Sequence, residues 1–249
     1  RRPPRSTQGV SSAASDVYKR QILLKLENHF GDQQWWPAES NFEIMVGAIL
    51  TQNTSWSNAE KAICSLKNAD VLDVETIYNM SSTELQNLVH PSGFYRLKAR
   101  RIKTLAASLM KNFGGDADGL RALSPSCARA FLLKINGIGP ETADCMLLYA
   151  IGKPIFVIDS YTKRLMQRIG VGHNLDTYDH WQQLFMKHIP PRLNAYQQYH
   201  ALIVAHSKLY CTSTPACSGC PLSSLCKLGQ SKKSQPAIHQ NIQSQNRYR

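Results

Sequence analysis

Apolar residues recur at helical spacing along most of the chain, and no stretch alternates as a half-buried strand would. Ile22, Leu23, Leu26 and Phe30 predict a first helix from Gln21 to Gly31. Phe42, Met45, Val46, Ile49 and Leu50 predict a second, running to Gln52-Asn53-Thr54. Further helices are expected at about 57–68, 82–90, 95–112, 125–134, 140–151, 160–169, 178–188 and 192–208. The apolar run Ile155 to Ile158 is too short to carry a sheet, so the predicted class is all-α. At both ends the pattern fails. Residues 1–20 are rich in Ser, Pro and Arg, include a stretch (SSAASDVYKRQ) that resembles a translated cloning adaptor, and are expected to lie outside the fold. Residues 228–249 are rich in Gln, Ser and Lys and read as a disordered tail.

One break in the periodicity carries chemistry. Gly137-Ile138-Gly139 separates two helical segments, Pro140 suits the first position of the second, and Ala143, Leu147, Leu148 and Ile151 give it a buried face. Such a glycine hairpin lets backbone approach a ligand, and its free N–H groups at a helix N-terminus favour an anion such as a nucleic-acid phosphate. Asp159 follows the Ile155–Ile158 run, which should hold its carboxylate at the edge of a core.

Charge supports a polyanion partner only moderately. Of the net +12, residues 1–20 and 230–249 each contribute +4, which leaves the body near +4. No run of 18 apolar residues occurs, so no membrane span is expected. Cys211, Cys217, Cys220 and Cys226 are spaced C-x5-C-x2-C-x5-C. Four thiolates on so short a loop can wrap a metal centre, and four cysteines are the standard ligand set of a [4Fe-4S] cluster. Zinc also takes four cysteines, but usually as two close pairs, and here only Cys217 and Cys220 form one. Two disulfides are the structural alternative; with three further isolated cysteines and no signal-peptide pattern, a reducing compartment fits better.

The hairpin followed by an aspartate resembles the helix-hairpin-helix DNA glycosylase superfamily, the relatives of endonuclease III, over roughly residues 35–227. The resemblance implies that Gly137, Ile138 and Gly139 grip DNA backbone and that Asp159 works at the sugar of a flipped-out nucleotide. It implies further that Gln52 fills the gap in the duplex and that Phe94, in Pro91-Ser92-Gly93-Phe94-Tyr95, wedges between stacked bases. The cysteine loop resembles the iron–sulfur loop of endonuclease III, one residue short in its first gap, and implies a [4Fe-4S] cofactor that shapes a loop flanked by the DNA-facing Lys208 and Lys227.

Within the superfamily the chain departs at Glu141. Bifunctional relatives carry an imine-forming lysine there, and a carboxylate cannot form an imine, so strand cleavage by that route is not expected. A favourable helix-dipole contact is the plain alternative role for Glu141. The adenine-specific branch is set aside because Val46 to Leu50 holds no glutamate. Trp35-Trp36-Pro37, Leu50-Thr51-Gln52-Asn53-Thr54, the Phe94 turn and Gly-Ile-Gly-Pro-Glu-Thr-Ala-Asp are most similar to the 3-methyladenine glycosylase III type. That likeness makes Trp35, Trp36 and Trp56 a base pocket and implies monofunctional excision of alkylated purines from double-stranded DNA. The expected architecture is then two helical lobes, 40–152 and 21–39 with 153–227, with DNA across the cleft between them. A monomeric, cytoplasmic protein is expected, associated with the nucleoid if prokaryotic. Two other readings stay open. One is a lyase on oxidised pyrimidines using Lys134 or Lys163; the other is a non-catalytic DNA-structure binder, against which Asp159 argues.

Overall fold

The computed structural model describes residues 12–33, 35–172 and 175–233, and the side chains of residues 20–231 within those ranges. Twelve α-helices and no strand occur among the described residues: α1 Ser12–Phe30, α2 Asn41–Leu50, α3 Trp56–Asn68, α4 Val74–Asn79, α5 Ser82–Val89, α6 Tyr95–Phe113, α7 Pro125–Leu133, α8 Pro140–Cys145, α9 Ser160–Ile169, α10 Tyr178–Met186, α11 Leu193–Leu209 and α12 Lys227–Lys233. The all-α class is therefore observed. No described helix is long and apolar enough to cross a membrane.

Helix α2 is buried on every side from Phe42 to Leu50 and forms the centre of the core. Its start is fixed by two side-chain bonds: the N-cap Ser40 Oγ accepts from the Glu43 N–H at 3.1 Å, and the Glu43 carboxylate accepts from the N–H of Glu39, just before the cap, at 2.9 Å. Around it pack α3, α6, α8 and the turn after α8, while α1 and α9 pack on α11 and α12 packs on α9. The two hairpin helices are fastened from behind. Asp144, wholly buried on α8, receives Arg129 of α7 at 2.7 Å and Gln182 of α10 at 2.7 Å. Pairing offsets the cost of burying that carboxylate and fixes the angle at which α7 meets α8.

Five elements differ from the sequence expectation. Helix α1 begins at Ser12, not Gln21; the segment from Ser12 contains neither Pro nor Gly, so the turns anchored by buried Ile22 and Leu26 propagate backwards. Residues 1–11 lie outside the described residues, as do 234–249 of the expected tail. The start of that tail is instead helix α12, tied down where the Gln230 N–H donates to Cys226 O at 2.9 Å and Leu228 packs on the core. Helix α4 and a 3₁₀ segment, Ala117–Ala122, were not foreseen, since each has only six residues to show a period. The expected straight helix over 140–151 changes to a π-turn at Met146–Ile151, where Gln197 Nε2 donates to the Leu148 carbonyl at 2.9 Å. A side chain inserted into the helical ladder is a standard cause of such a bulge. It sets Tyr149 beside His200.

Candidate active site

A cleft of about 540 Å³ is lined by residues from both ends of the chain, among them Trp35, Trp36, Gln52, Trp56, Glu141 and Asp159. Three indoles form its apolar wall. Trp35 and Trp56 lie 6.3 Å apart between ring centroids, Trp36 meets Trp56 edge-on at 5.3 Å, and Trp36 packs on Tyr149 at 5.4 Å. The wall is seated on Gly47: a Cβ there would lie 3.1 Å from the Trp36 ring, so this glycine lets the indole rest against α2. Trp36 itself has φ 71°, and Asn53 and Phe94 have φ 53° and 47°. Left-handed backbone at non-glycine residues costs of order 1–3 kcal/mol each and gathers at sites where geometry serves function.

Asp159 caps α9. Its Oδ1 accepts the Thr162 N–H at 2.7 Å, and its Oδ2 lies 3.5 Å from His200 Nε2. Burial alone would raise the pKa of this 8% exposed carboxyl; the His200 ring and the Thr162 N–H outweigh it, so the pKa lies below the ordinary aspartate value. Glu141 behaves oppositely. The cleft walls and the Asp159 charge raise its pKa, an effect tempered by its exposure to solvent at the cleft mouth.

The hairpin lies against the same cleft, but its three residues differ in role. Gly137 has φ +90°, and the side chain of Arg101 fills the space a Cβ would take, at 2.5 Å. Gln52 Nε2 donates to Gly137 O at 3.1 Å and to Thr142 Oγ1 at 2.9 Å, and its Oε1 accepts from Arg101. Gln52, expected in the duplex gap, is thus fastened to the hairpin in this state. Ile138 is 4% exposed and its N–H donates to Ile135 O at 3.1 Å, so its side chain serves the core. Gly139 is open, with nothing within 4 Å of where a Cβ would stand, and it offers the approach to backbone. Phe94 is 66% exposed and projects from the turn before α6.

Of the lysines, neither Lys134 nor Lys163 lines the cleft. Lys134 borders a separate hollow beside Phe131, and Lys163 stacks over Tyr178 at 5.9 Å. Lys208 does line it, with its ammonium 5.4 Å over the Trp35 ring, and burial of its stem lowers its pKa. Lys98, on α6, is 1% exposed and donates to Leu50 O and Ser92 O, each at 2.7 Å. Sequence reading missed His200, Tyr149 and Arg101, and placed Lys208 beside the cysteine loop without its contact to Trp35. A signal existed for one of them: His200 shares one face of α11 with Val204 and Lys208, four residues apart in turn, and all three line the cleft.

The four cysteines of the C-terminal loop line one small cavity with Leu165, Leu222 and Leu228. No three His, Cys, Asp or Glu side chains among the described residues converge closely enough to hold a single metal ion. Polar nitrogens address two of the sulfurs: Arg168 Nη1 lies 3.2 Å from Cys211 Sγ, and His206 Nε2 3.1 Å from Cys220 Sγ. Nitrogen donors around sulfur in an apolar cavity suit thiolates bound to a multi-metal centre.

Residues 46–191 match the profile described as HhH-GPD superfamily base excision DNA repair protein. The chain is 44% identical over 211 residues to a Methanocaldococcus jannaschii protein named "Putative DNA repair glycosylase MJ1434", covering 84% of this chain and 95% of that one. Its structure is similar to that of the H. pylori 3-methyladenine DNA glycosylase MagIII bound to 1,N6-ethenoadenine, with TM-score 0.66 and 29% identity over 78% of this chain and 97% of that one. A non-covalent endonuclease III–DNA complex superposes with TM-score 0.77 at 23% identity, covering 88% and 99% of the two chains, a likeness of fold.

Proposed function

The chain belongs to the HhH-GPD superfamily of base excision DNA repair proteins, which are DNA N-glycosylases, and from that premise we propose that it excises alkylated purines from double-stranded DNA without cutting the strand. The observation that carries this reading is the three-tryptophan wall of Trp35, Trp36 and Trp56 opening onto the buried Asp159. A base turned into the cleft stacks on indole faces, and an N-alkylated purine, being cationic, gains about 0.5–2 kcal/mol more from cation–π contact. Lys208, exposed on a long stem, moves to a backbone phosphate when a base takes the Trp35 face. The likeness to MagIII supports the same substrate class.

The chemistry follows from charge. An alkylated purine leaves as a neutral molecule and needs no general acid, so the enzyme's task is to stabilise the oxocarbenium-like sugar and to position water. Asp159, kept ionised by its surroundings, supplies negative charge and a base. Phe94 wedges the stack, the Gly139 turn takes a phosphate, and DNA crosses between the lobes 40–152 and 21–39 with 153–227, bound by a monomer. The four cysteines hold a [4Fe-4S] cluster that fixes the shape of the loop. Glu141 stands where an imine-forming lysine would be needed, and the only lysine lining the cleft among the described residues is Lys208, which is the residue a lyase on oxidised pyrimidines would have to use. Asp159→Asn tests the assignment: single-turnover release of methylated purines should fall by about 10²-fold or more while affinity for damaged DNA holds. An unchanged rate would refute it.

A further inference from the structure

Behind Asp159 lies a buried polar chain that the excision chemistry above leaves unused. His200 is 6% exposed; its Nδ1 lies 2.7 Å from Tyr149 Oη, and its Nε2 has Asp159 Oδ2 at 3.5 Å and no tighter partner among the described residues. Tyr149 is 8% exposed, its hydroxyl also reaches Gln197 O at 3.3 Å, and its ring lies against Trp36. A neutral imidazole carries one N–H. Were that proton on Nδ1, a lone pair on Nε2 would face the Asp159 carboxylate, two acceptors buried against each other. The conflict disappears when Tyr149 Oη donates to Nδ1 and Nε2–H points at Oδ2. In the imidazolium form both nitrogens donate, and the tyrosine hydroxyl turns to Gln197 O. Either way an N–H addresses the carboxylate.

We propose that His200 is a positioning residue for Asp159, its Nε2–H held toward Oδ2 by Tyr149, and that this chain ties the carboxylate to the Trp36 wall of the base pocket. The inference rests on Asp159 being the residue that acts at the sugar. Thr162 anchors only Oδ1, so without His200 the carboxylate pivots about a single bond. A separation of 3.5 Å is long, as such contacts often are before substrate closes the site. The ionisable groups set around the ring are Asp159 at the start of α9, Glu141 and Cys145 on α8 and Tyr149 on the π-turn. Removing the ring's N–H withdraws support from the ionised carboxylate, which moves the acid limb of the rate profile to higher pH.

The test is single-turnover excision from a methylated duplex across acidic to neutral pH, with the whole chain carrying His200→Leu, His200→Gln, Tyr149→Phe or Asp159→Asn. His200→Leu should slow excision roughly 10- to 100-fold, keep DNA affinity and shift the acid limb upward. His200→Gln, which restores an N–H, should recover most of the rate, and Tyr149→Phe should shift the limb in the same direction by less. Wild-type rate and acid limb in His200→Leu would overturn the proposal, as would a folded His200→Gln as slow as His200→Leu. If His200→Leu does not fold, Tyr149→Phe decides: a shifted limb supports the proposal and a coincident one overturns it. An inactive Asp159→Asn beside unaffected His200 variants overturns this inference alone, whereas a fully active Asp159→Asn removes the excision reading beneath it.

Discussion

Replacing Lys98 with methionine keeps the length of a buried side chain while removing its charge and both of its hydrogen bonds. In the native chain that ammonium joins the C-terminal end of α2, through Leu50 O, to the turn presenting Phe94, through Ser92 O. Two effects oppose each other in Lys98→Met. Two buried carbonyls lose their donor, at about 1–3 kcal/mol each. The variant also escapes the cost of burying a cation: burial, with Arg101 nearby, lowers the Lys98 pKa from 10.5 to about 8. At about 1.4 kcal/mol per pKa unit, the relief at neutral pH is roughly 3 kcal/mol. With each carbonyl near the middle of its range, the losses win by about 1 kcal/mol, so the variant is modestly less stable at pH 7. The pH dependence separates the terms. Between the folded pKa near 8 and the unfolded value of 10.5, the unfolded chain keeps a proton that the folded chain releases. Native stability from this group therefore rises with pH across that window and is lost as pH falls through it, while the variant has no such term. The stability gap should widen from about 1 kcal/mol at pH 7 toward about 4 kcal/mol by the top of the window. Urea denaturation of both proteins at several pH values measures it, with the slope checked for constancy. A gap that stays flat or narrows as pH rises would refute the reasoning.

Two further outcomes are expected. Phe94→Ala removes a 66% exposed ring, so stability should change by less than about 0.5 kcal/mol, whereas excision from duplex should fall and excision from single-stranded DNA should not; a similar loss on both substrates would count against a wedge. Protein purified anaerobically should be yellow-brown, with four irons per chain and broad absorption near roughly 400 nm, and a stoichiometric zinc content without iron would contradict the cluster assignment.

Much of the fold was legible because burial follows helical spacing. The stripes of α2, α3, α6, α9 and α11 each show in the residues that prove buried, and Ser and Asp caps mark several of the starts. Six-residue elements such as α4 offer too few turns for a period to emerge, and the π-turn depends on Gln197, a partner 49 residues away from Leu148. The site divides along the same line. Trp35, Trp36, Trp56, Glu141 and Asp159 sit in local motifs, and the fold brings all five to one cleft. Tyr149 and His200 lie 51 residues apart within apolar helices, so neither position signals that the other is 2.7 Å away. Lys98 is hard to place for a different reason: a lysine's charge suggests surface, although its spacing to Ile102, Leu105 and Leu109 puts it on the buried stripe of α6.

The central claim is that this cleft removes alkylated purines and leaves the strand whole, and chromatography of the bases released from a methylated duplex tests it most directly. The account predicts intact methylated purines in the released fraction, with the treated strand unnicked until alkali is added and no release from a duplex carrying oxidised pyrimidines. Release of oxidised pyrimidines with strand cleavage, and none of methylated purines, would contradict it.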